Sequence, residues 1–272
     1  MKQMLLGTPI GRVALSLREK IGMIQLACFH PDDVGTFAND ILATRLITSL
    51  CQSKKTFIDV GAHIGSVTSA VAHRDASIKI VAVEAIPEKI VRLRRKFPSV
   101  EFHECAVGES AGEASFFINL RQSGYSSLGR PHDGNLSSFS EIRVQIRRLD
   151  EIVEDVNVDA IKIDVEGAEL GVLLGSTKIL ANSRPVVMFE SAPASDEGVG
   201  YSKQAMYQFL AAHGYIVLVP NRVAHNDSGL TQDGFLDSHL YPRRTTNYFA
   251  IPIERQIEVR SRARRILKIA AD

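Results

Sequence analysis

From Thr56 onward, short apolar runs alternate with stretches whose apolar residues recur every three or four positions, the mark of strand followed by helix. Thr56–Val60, Lys79–Glu84 and Val100–Val107 read as strands. Gly65–His73 and Pro87–Phe97 read as the helices between them. Val67, Ala70 and Val71 lie along one face of the first, and Ile86, Ile90, Leu93 and Phe97 along the second. Pro87 suits a first helical turn, where no amide donor is required, and Pro98 helps to end that helix. The rhythm then changes. Ala114–Asn119 and Glu141–Arg147 have strand character and flank the Gly/Ser-rich stretch GYSSLGRPHDGNLSS. Alternation resumes with a strand at Val158–Asp164, a helix at Ala168–Leu180 and a strand at Arg184–Glu190. Ser202–His213 reads as a helix with Ser202 as its N-cap and Gly214 beyond its end. Tyr215–Val219 and Tyr248–Pro252 are the final strands, and the long loop between them predicts an antiparallel finish. Residues 1–53 have helical spacing, in Ile10–Lys20 and in Asp40–Cys51 with Ile41, Leu42, Leu46, Ile47 and Leu50. Glu254–Ala271 is a basic helix with Val259, Ala263, Ile266 and Ala270 on one side. Repeated β-α units predict an α/β fold, a mostly parallel sheet with helices on both faces. The organisation is a helical extension (1–53), one α/β domain (54–253) and a C-terminal basic helix (254–272).

Composition removes several function classes. The 272 residues are 45% hydrophobic and 23% charged, ordinary values for a globular chain. A net charge of +1 argues against a dedicated nucleic-acid binder. Cys28, Cys51 and Cys105 lack metal-type spacing, and any disulfide scheme leaves one unpaired, so they read as reduced cysteines of a cytoplasmic protein. No apolar run approaches the ~20 residues that span a bilayer. The opening MKQMLLGTPIGRVALSLREKIG is interrupted by Gly, Pro and charge, unlike a signal peptide.

Candidate chemistry begins at FIDVGAHIGSV, Phe57–Val67, where a buried strand gives way to a glycine-containing turn and a helix. Ligands of open α/β sheets bind beyond the carboxyl ends of the strands, and a helix start offers free amides to an anionic group. A nucleoside triphosphate wants G-x-x-x-x-G-K-[ST], and no lysine follows Gly65. A dinucleotide wants G-x-G-x-x-G, and only Gly61 fits. S-adenosylmethionine is commonly met by acid-x-G-x-G-x-G. Here Asp59, Gly61 and Gly65 match, with His63 in place of the middle glycine. Glu84 ends the next strand, 25 positions after Asp59, where a carboxylate can accept two hydrogen bonds from a ribose diol. The bland alternative for Glu84 is a solvated strand-end acid.

The blocks FIDVGAHIGSVT, VAVEAIPEKIVRLRRKF, CAVGESAGEASFFI, GYSSL, LDEI, VDAIKIDVEGAELGVLLGSTKIL and RPVVMFE occur in this order. Together they resemble the FkbM family of S-adenosylmethionine-dependent methyltransferases, over about residues 54–192 and more loosely to Pro252. Ile161–Glu169, IKIDVEGAE, is the most specific block. The resemblance implies a Rossmann-like class I methyltransferase fold, a seven-stranded sheet whose last strand is antiparallel. Many members carry Asn where this chain has His63. The resemblance also implies that Asp59 orients the turn and helps to hold the methionine amino group. It implies that Gly61 and Gly65 let the methionine portion approach, that Glu84 binds the ribose, and that Cys105, Ala106 and Val107 line the adenine. For Cys105, a plain core strand is an equal reading.

Methyl transfer is a displacement on a sulfonium, so the protein mainly aligns the acceptor and excludes water. A hydroxyl acceptor also needs a base. Asp164 closes its strand, Glu166 follows two residues later, and Glu190 closes the neighbouring strand, which makes these three the candidate catalytic acids. Such acids could instead gather Mg²⁺, the less favoured route, and no metal is assigned. Lys162 reads as a structural ion-pair partner, and Glu169 as an acid at a helix start. Two long loops are candidates to close over an acceptor. One is Gln122–Ser140 with Tyr125, Ser126, Ser127 and His132; the other is Asn221–Thr246 with Arg222, His225, Asp227, Tyr241, Arg243 and Arg244. For any one of these residues, a solvated surface is an equal reading.

The function expected is O-methylation of a hydroxyl on a sugar, glycan, glycolipid or natural-product acceptor. Partners expected are this acceptor and S-adenosylmethionine, with no nucleic acid and no membrane span. The basic helix covers the sheet, solvated on its outer side, or contacts a second copy in a homodimer. N-methylation on the same fold and a non-catalytic cofactor-binding subunit are the rival readings, with a dehydrogenase a distant third.

Overall fold

The expected strand pattern closes into a seven-stranded sheet. The computed structural model describes residues 9–122, 124–129, 138–154, 157–191 and 201–270, with residues 9–16 described through their backbone. The strands are β1 (Thr56–Val60), β2 (Lys79–Glu84), β3 (Glu101–Glu104), β4 (Ala106–Val107), β5 (Gly112–Asn119), β6 (Phe139–Arg147), β7 (Val158–Ile163), β8 (Val186–Glu190), β9 (Tyr215–Leu218) and β10 (Asn247–Pro252). The main sheet has the order β3-β2-β1-β7-β8-β10-β9. Its pairings are parallel except those of β10, which runs antiparallel to both β8 and β9. This is the Rossmann-like methyltransferase architecture expected, with an antiparallel last strand. The order reverses between β1 and β7, which opens a crevice at the carboxyl ends of these strands.

Helices cover both faces. They are α1 (Pro9–Phe29), α2 (Val34–Leu50), α3 (Ser66–Arg74), α4 (Pro87–Lys96), α5 (Leu149–Ile152), α6 (Glu169–Leu174), α7 (Thr177–Asn182), α8 (Lys203–Ala212), α9 (Gln232–Asp237) and α10 (Gln256–Leu267). Strand alternation divides the core in two. Phe57, Ile80, Ala160 and Met188 pack against α2, α3, α4 and α10 through Leu46, Ile47, Val71, Ile90, Leu93 and Val259. Ile58, Val81, Ile161 and Phe189 pack against the other face through Leu173, Leu180, Leu210 and Phe235. The N-terminal helix α2 and the basic helix α10 therefore complete the same core as the sheet. Ser202 caps α8, its hydroxyl accepting from Ala205 N at 3.1 Å. Among the described residues, no helix is long and apolar enough to cross a membrane.

Two of the expected elements are divided in the structure. Val100–Val107 is not one strand. β3 pairs with β2 only as far as Glu84↔Glu104, and past that point the main sheet offers no partner. The chain turns at Cys105, and β4 joins β6 in a separate three-stranded sheet, order β4-β6-β5. The helix expected over Ala168–Leu180 is two short helices, α6 and α7. Gly175 passes so close to Gly108 that a Cβ would sit 2.2 Å from its carbonyl oxygen. Asp150 then starts α7 by accepting from the amides of Lys178 and Ile179, both at 3.0 Å.

Candidate functional site

A cavity of about 320 Å³ occupies the crevice at the switch point. Its walls come from the turn after β1, the end of β2, the Cys105 bend, the small sheet and the ends of β7 and β8. The turn needs glycine at position 61. Gly61 has φ +76°, and a Cβ there would lie 1.8 Å from the Asp164 carbonyl oxygen. The glycine lets the ends of β1 and β7 approach and exposes backbone to the cavity. His63, also left-handed at φ +52°, lines the cavity and donates its amide to Glu84 Oε2 at 2.7 Å. Glu84 Oε1 accepts from Ile86 N at 3.0 Å, and Lys89 Nζ stands 4.0 Å away. Burial pushes the Glu84 carboxyl above its ordinary value, and Lys89, these two amides and Lys162 only partly offset it. Cys105, Ala106 and Val107 form part of an apolar wall with Ile86 and Phe116. The Cys105 thiol is pushed up to about 11 by burial, so it is an inert wall group.

Two residues read as cofactor contacts stand elsewhere. Asp59 is fully buried beneath the turn and does not line the cavity. One oxygen accepts from Thr68 Oγ1 at 2.6 Å and Thr68 N at 3.2 Å, which fixes the start of α3. The other has no aligned hydrogen-bond donor and relies on Lys162 Nζ at 3.3 Å. Gly65, φ +77°, also stays off the wall. Its missing Cβ makes room for Leu93 Cδ2, which would be 2.6 Å away, and this lets α4 pack against the turn.

The carboxylates gather at the opposite wall. Oxygens of Asp164, Glu166 and Glu190 lie within 4.8 Å of one another, close enough to surround one proton or one cation. Burial pushes Asp164 up, but Lys162 at 3.2 Å and a hydrogen bond from Glu190 bring it below its ordinary value. Glu190 is pushed up to about 10 by burial, the Asp164 charge and that shared proton. Glu166 is pushed up to about 8 by burial and by the charges of Asp164 and Glu169, opposed by Lys162. Its backbone is left-handed at φ +54°, an uncommon state for a residue with a side chain. Glu169 is pushed up to about 7, chiefly by burial, and accepts from Gly167 N at 3.1 Å and Val165 N at 3.4 Å, so it braces the 165–167 turn.

Of the two candidate loops, only the first reaches the cavity. Tyr125 and Ser126 line it, with Gly124 and Leu128. A short bridge, Phe117 N to Ser127 O at 2.9 Å and its return at 3.1 Å, fixes this segment on the small sheet. His132 lies outside the described residues. The second loop packs against α2 instead. Arg222 pairs with Asp227 at 2.8 Å, Tyr241 donates to Asp32 at 3.3 Å, and the backbone carbonyls of Arg243 and Arg244 accept from Thr36 and Asn39. His225 is exposed and, like the rest of that loop, absent from the cavity wall. Lys89 is the charged wall residue that the sequence reading missed. Its only signal is that Pro87 starts α4 just after Glu84, which brings the third helical residue back toward that acid.

The chain is similar to several known proteins. A curated relative, the AMB antimetabolite synthetase AmbE of Pseudomonas aeruginosa, is 26% identical over 202 residues, which is 60% of this chain. The aligned part is 10% of that relative, so this chain spans a small fraction of its length. Among solved structures, the methyltransferase FkbM of Methylobacillus flagellatus KT matches with 17% identity and a TM-score of 0.45, covering 72% of this chain and 43% of that one. A TehB-like SAM-dependent methyltransferase of Corynebacterium glutamicum matches with 9% identity and a TM-score of 0.41, covering 77% and 85%. The model of the methyltransferase FkbM domain matches residues 59–217, more than half of the chain, and on that match the protein belongs to the FkbM family of methyltransferases.

Proposed function

We propose that the protein transfers a methyl group from S-adenosylmethionine to a hydroxyl oxygen of a sugar, glycan-linked or natural-product acceptor, with Glu166 as the proton acceptor. The lining fits the cofactor. Glu84 keeps lone pairs for a ribose diol after taking two backbone amides. Ile86, Cys105, Ala106, Val107 and Phe116 offer an apolar slot for a purine, and Gly61 exposes backbone to the amino-acid end. When bound, the cofactor supplies a methyl group on a sulfonium that already carries its leaving group.

The observation that carries the hydroxyl reading is the carboxylate cluster. Asp164 is engaged by Lys162 and Glu190. Glu166 has no hydrogen bond to another described residue, lines the cavity, and accepts a proton near neutral pH. A base of that strength matches the deprotonation of a hydroxyl held in line with the methyl group. Asp164 orients the acceptor, and Glu190 keeps the shared proton. An amine acceptor that enters the site uncharged needs no such base. The natural-product class of acceptor draws support from the antimetabolite synthetase that the chain resembles.

The test is labelled-methyl transfer to a panel of methyl glycosides, polyols and hydroxylated natural products, from about pH 6 to about pH 10. Transfer to a hydroxyl that rises through about pH 8 and is lost in Glu166→Gln supports the reading. Transfer to amines alone, or equal transfer by Glu166→Gln, contradicts it.

A further inference from the structure

Lys162 is a buried cation at the centre of the site that the transfer scheme leaves without a task. It sits on β7 beside the buried apolar residues Ile161 and Ile163. Its ammonium lies 2.6 Å from Gly61 O, 3.2 Å from Asp164 Oδ2 and 3.3 Å from Asp59 Oδ1, with Val60 O farther away at 3.5 Å. The ammonium donates to Gly61 O and stands within ion-pair distance of two carboxylate oxygens. These three oxygens belong to three different parts of the site: the cavity-lining turn, the reacting cluster and the acid beneath α3.

A structural ion pair needs only Asp59. The contacts with Gly61 and Asp164 are extra, and both residues line the cavity. Gly61 is also where β1 and β7 approach so closely that no Cβ fits. We infer that Lys162 is a positioning residue whose single ammonium ties the cofactor turn to Asp164, so that the two halves of the site keep one geometry. The inference rests on the reading of Asp164 as part of the reacting cluster. Arg cannot replace it, because a planar fork does not place three donors around one point.

The surrounding charges agree. Lys162 is faced by Asp59 from β1 and by Asp164 after β7. Glu190 on β8 and Glu166 and Glu169 after β7 stand beyond Asp164, and Glu84 on β2, Lys89 on α4 and His63 on the turn complete the charged wall. Burial would lower the ammonium, but Asp164 and Asp59 outweigh it and hold the group above its ordinary value. The same charge draws Asp164, Glu166 and Glu84 downward.

The experiment uses the full chain without ligand. Side-chain carboxyl carbons are followed by NMR against pH, and S-adenosylhomocysteine binding is measured by calorimetry. The variants are Lys162→Met combined with Asp59→Asn, which removes the buried Asp59 charge together with its partner, and Lys162→Arg, which keeps the charge. In the double variant the Asp164 midpoint moves upward by about one pH unit or more, and S-adenosylhomocysteine affinity falls about tenfold. In Lys162→Arg the affinity falls although charge is retained. If either variant folds and keeps both the wild-type midpoint and the wild-type affinity, Lys162 is only a structural ion pair and the inference is overturned. Failure of wild type to bind S-adenosylhomocysteine would count against the proposed function, and the carboxyl titration of the variants would still decide the role of Lys162.

Discussion

Strand β7 carries a buried acid near its start and another acid just past its end, and the surroundings treat them in opposite ways. Asp159, near the start, meets Arg255 at 2.7 Å, Arg262 at 3.6 Å and the Gln52 amide at 2.8 Å. Both arginines come from the C-terminal segment that α10 belongs to, and both also hold Glu258. Acid and base are matched there, and the cluster fastens α10 to the sheet. Asp164, past the end, shares its wall with Glu166, Glu190 and Glu169. Lys162 lies within salt-bridge reach of Asp164. Burial, together with acids that outnumber the cations there, makes Glu190 and Glu166 hold protons far above the ordinary carboxylate range. A mismatch of this kind weakens the fold and places proton acceptors in a cavity, which is the pattern of a functional site.

The widest separation comes from removing the proposed base. Glu166→Gln is expected to slow methyl transfer ~10²–10⁴-fold while the melting temperature holds or rises. A large loss of stability instead would make Glu166 structural and erase the contrast. The matched end should respond in the reverse way. Arg255→Met leaves a buried acid poorly compensated and is expected to cost ~3–5 kcal/mol in urea unfolding, with S-adenosylhomocysteine affinity of the folded protein unchanged. Gly65→Ala tests packing against binding at the turn. It drives a Cβ toward Leu93 at a left-handed residue, so a loss of ~1–3 kcal/mol is expected, again with affinity retained.

A pH-dependent effect has an unusual sign. Glu190 ionises near 4.5 when unfolded and near about 10 when folded. Between these values the folded protein binds the extra proton, so its stability falls as pH rises through that window. Glu190→Gln keeps a donor for Asp164 and removes this loss. Its melting temperature should exceed that of wild type at about pH 9 and match it at about pH 4.

Much of this was legible in the sequence, for a physical reason. Strands at the centre of the sheet are buried on both faces and read as continuous apolar runs, so Thr56–Val60 and Lys79–Glu84 appear in the structure with the expected bounds. Acids at strand ends interrupt such runs, which made Glu84, Asp164 and Glu190 visible. What stayed hidden depends on contacts distant in sequence. Gly65 and Asp59 matched a ligand-binding pattern, yet whether such a residue faces the ligand or braces the turn depends on α4 and Lys162. Strand Val100–Val107 split because β2 ends at Glu84, which no local propensity records. Lys89 meets Glu84 only through the fold, which brings the start of α4 back over the end of β2.

The claim on which the rest depends is that the cavity at the β1–β7 switch point holds the methyl donor. Calorimetric titration with S-adenosylhomocysteine, wild type beside Glu84→Ala, tests it most directly. The account predicts saturable binding by wild type and a loss of about 10-fold or more in the variant, from removal of charge-assisted hydrogen bonds. Equal binding by both proteins, or no binding by a folded wild type, would contradict it.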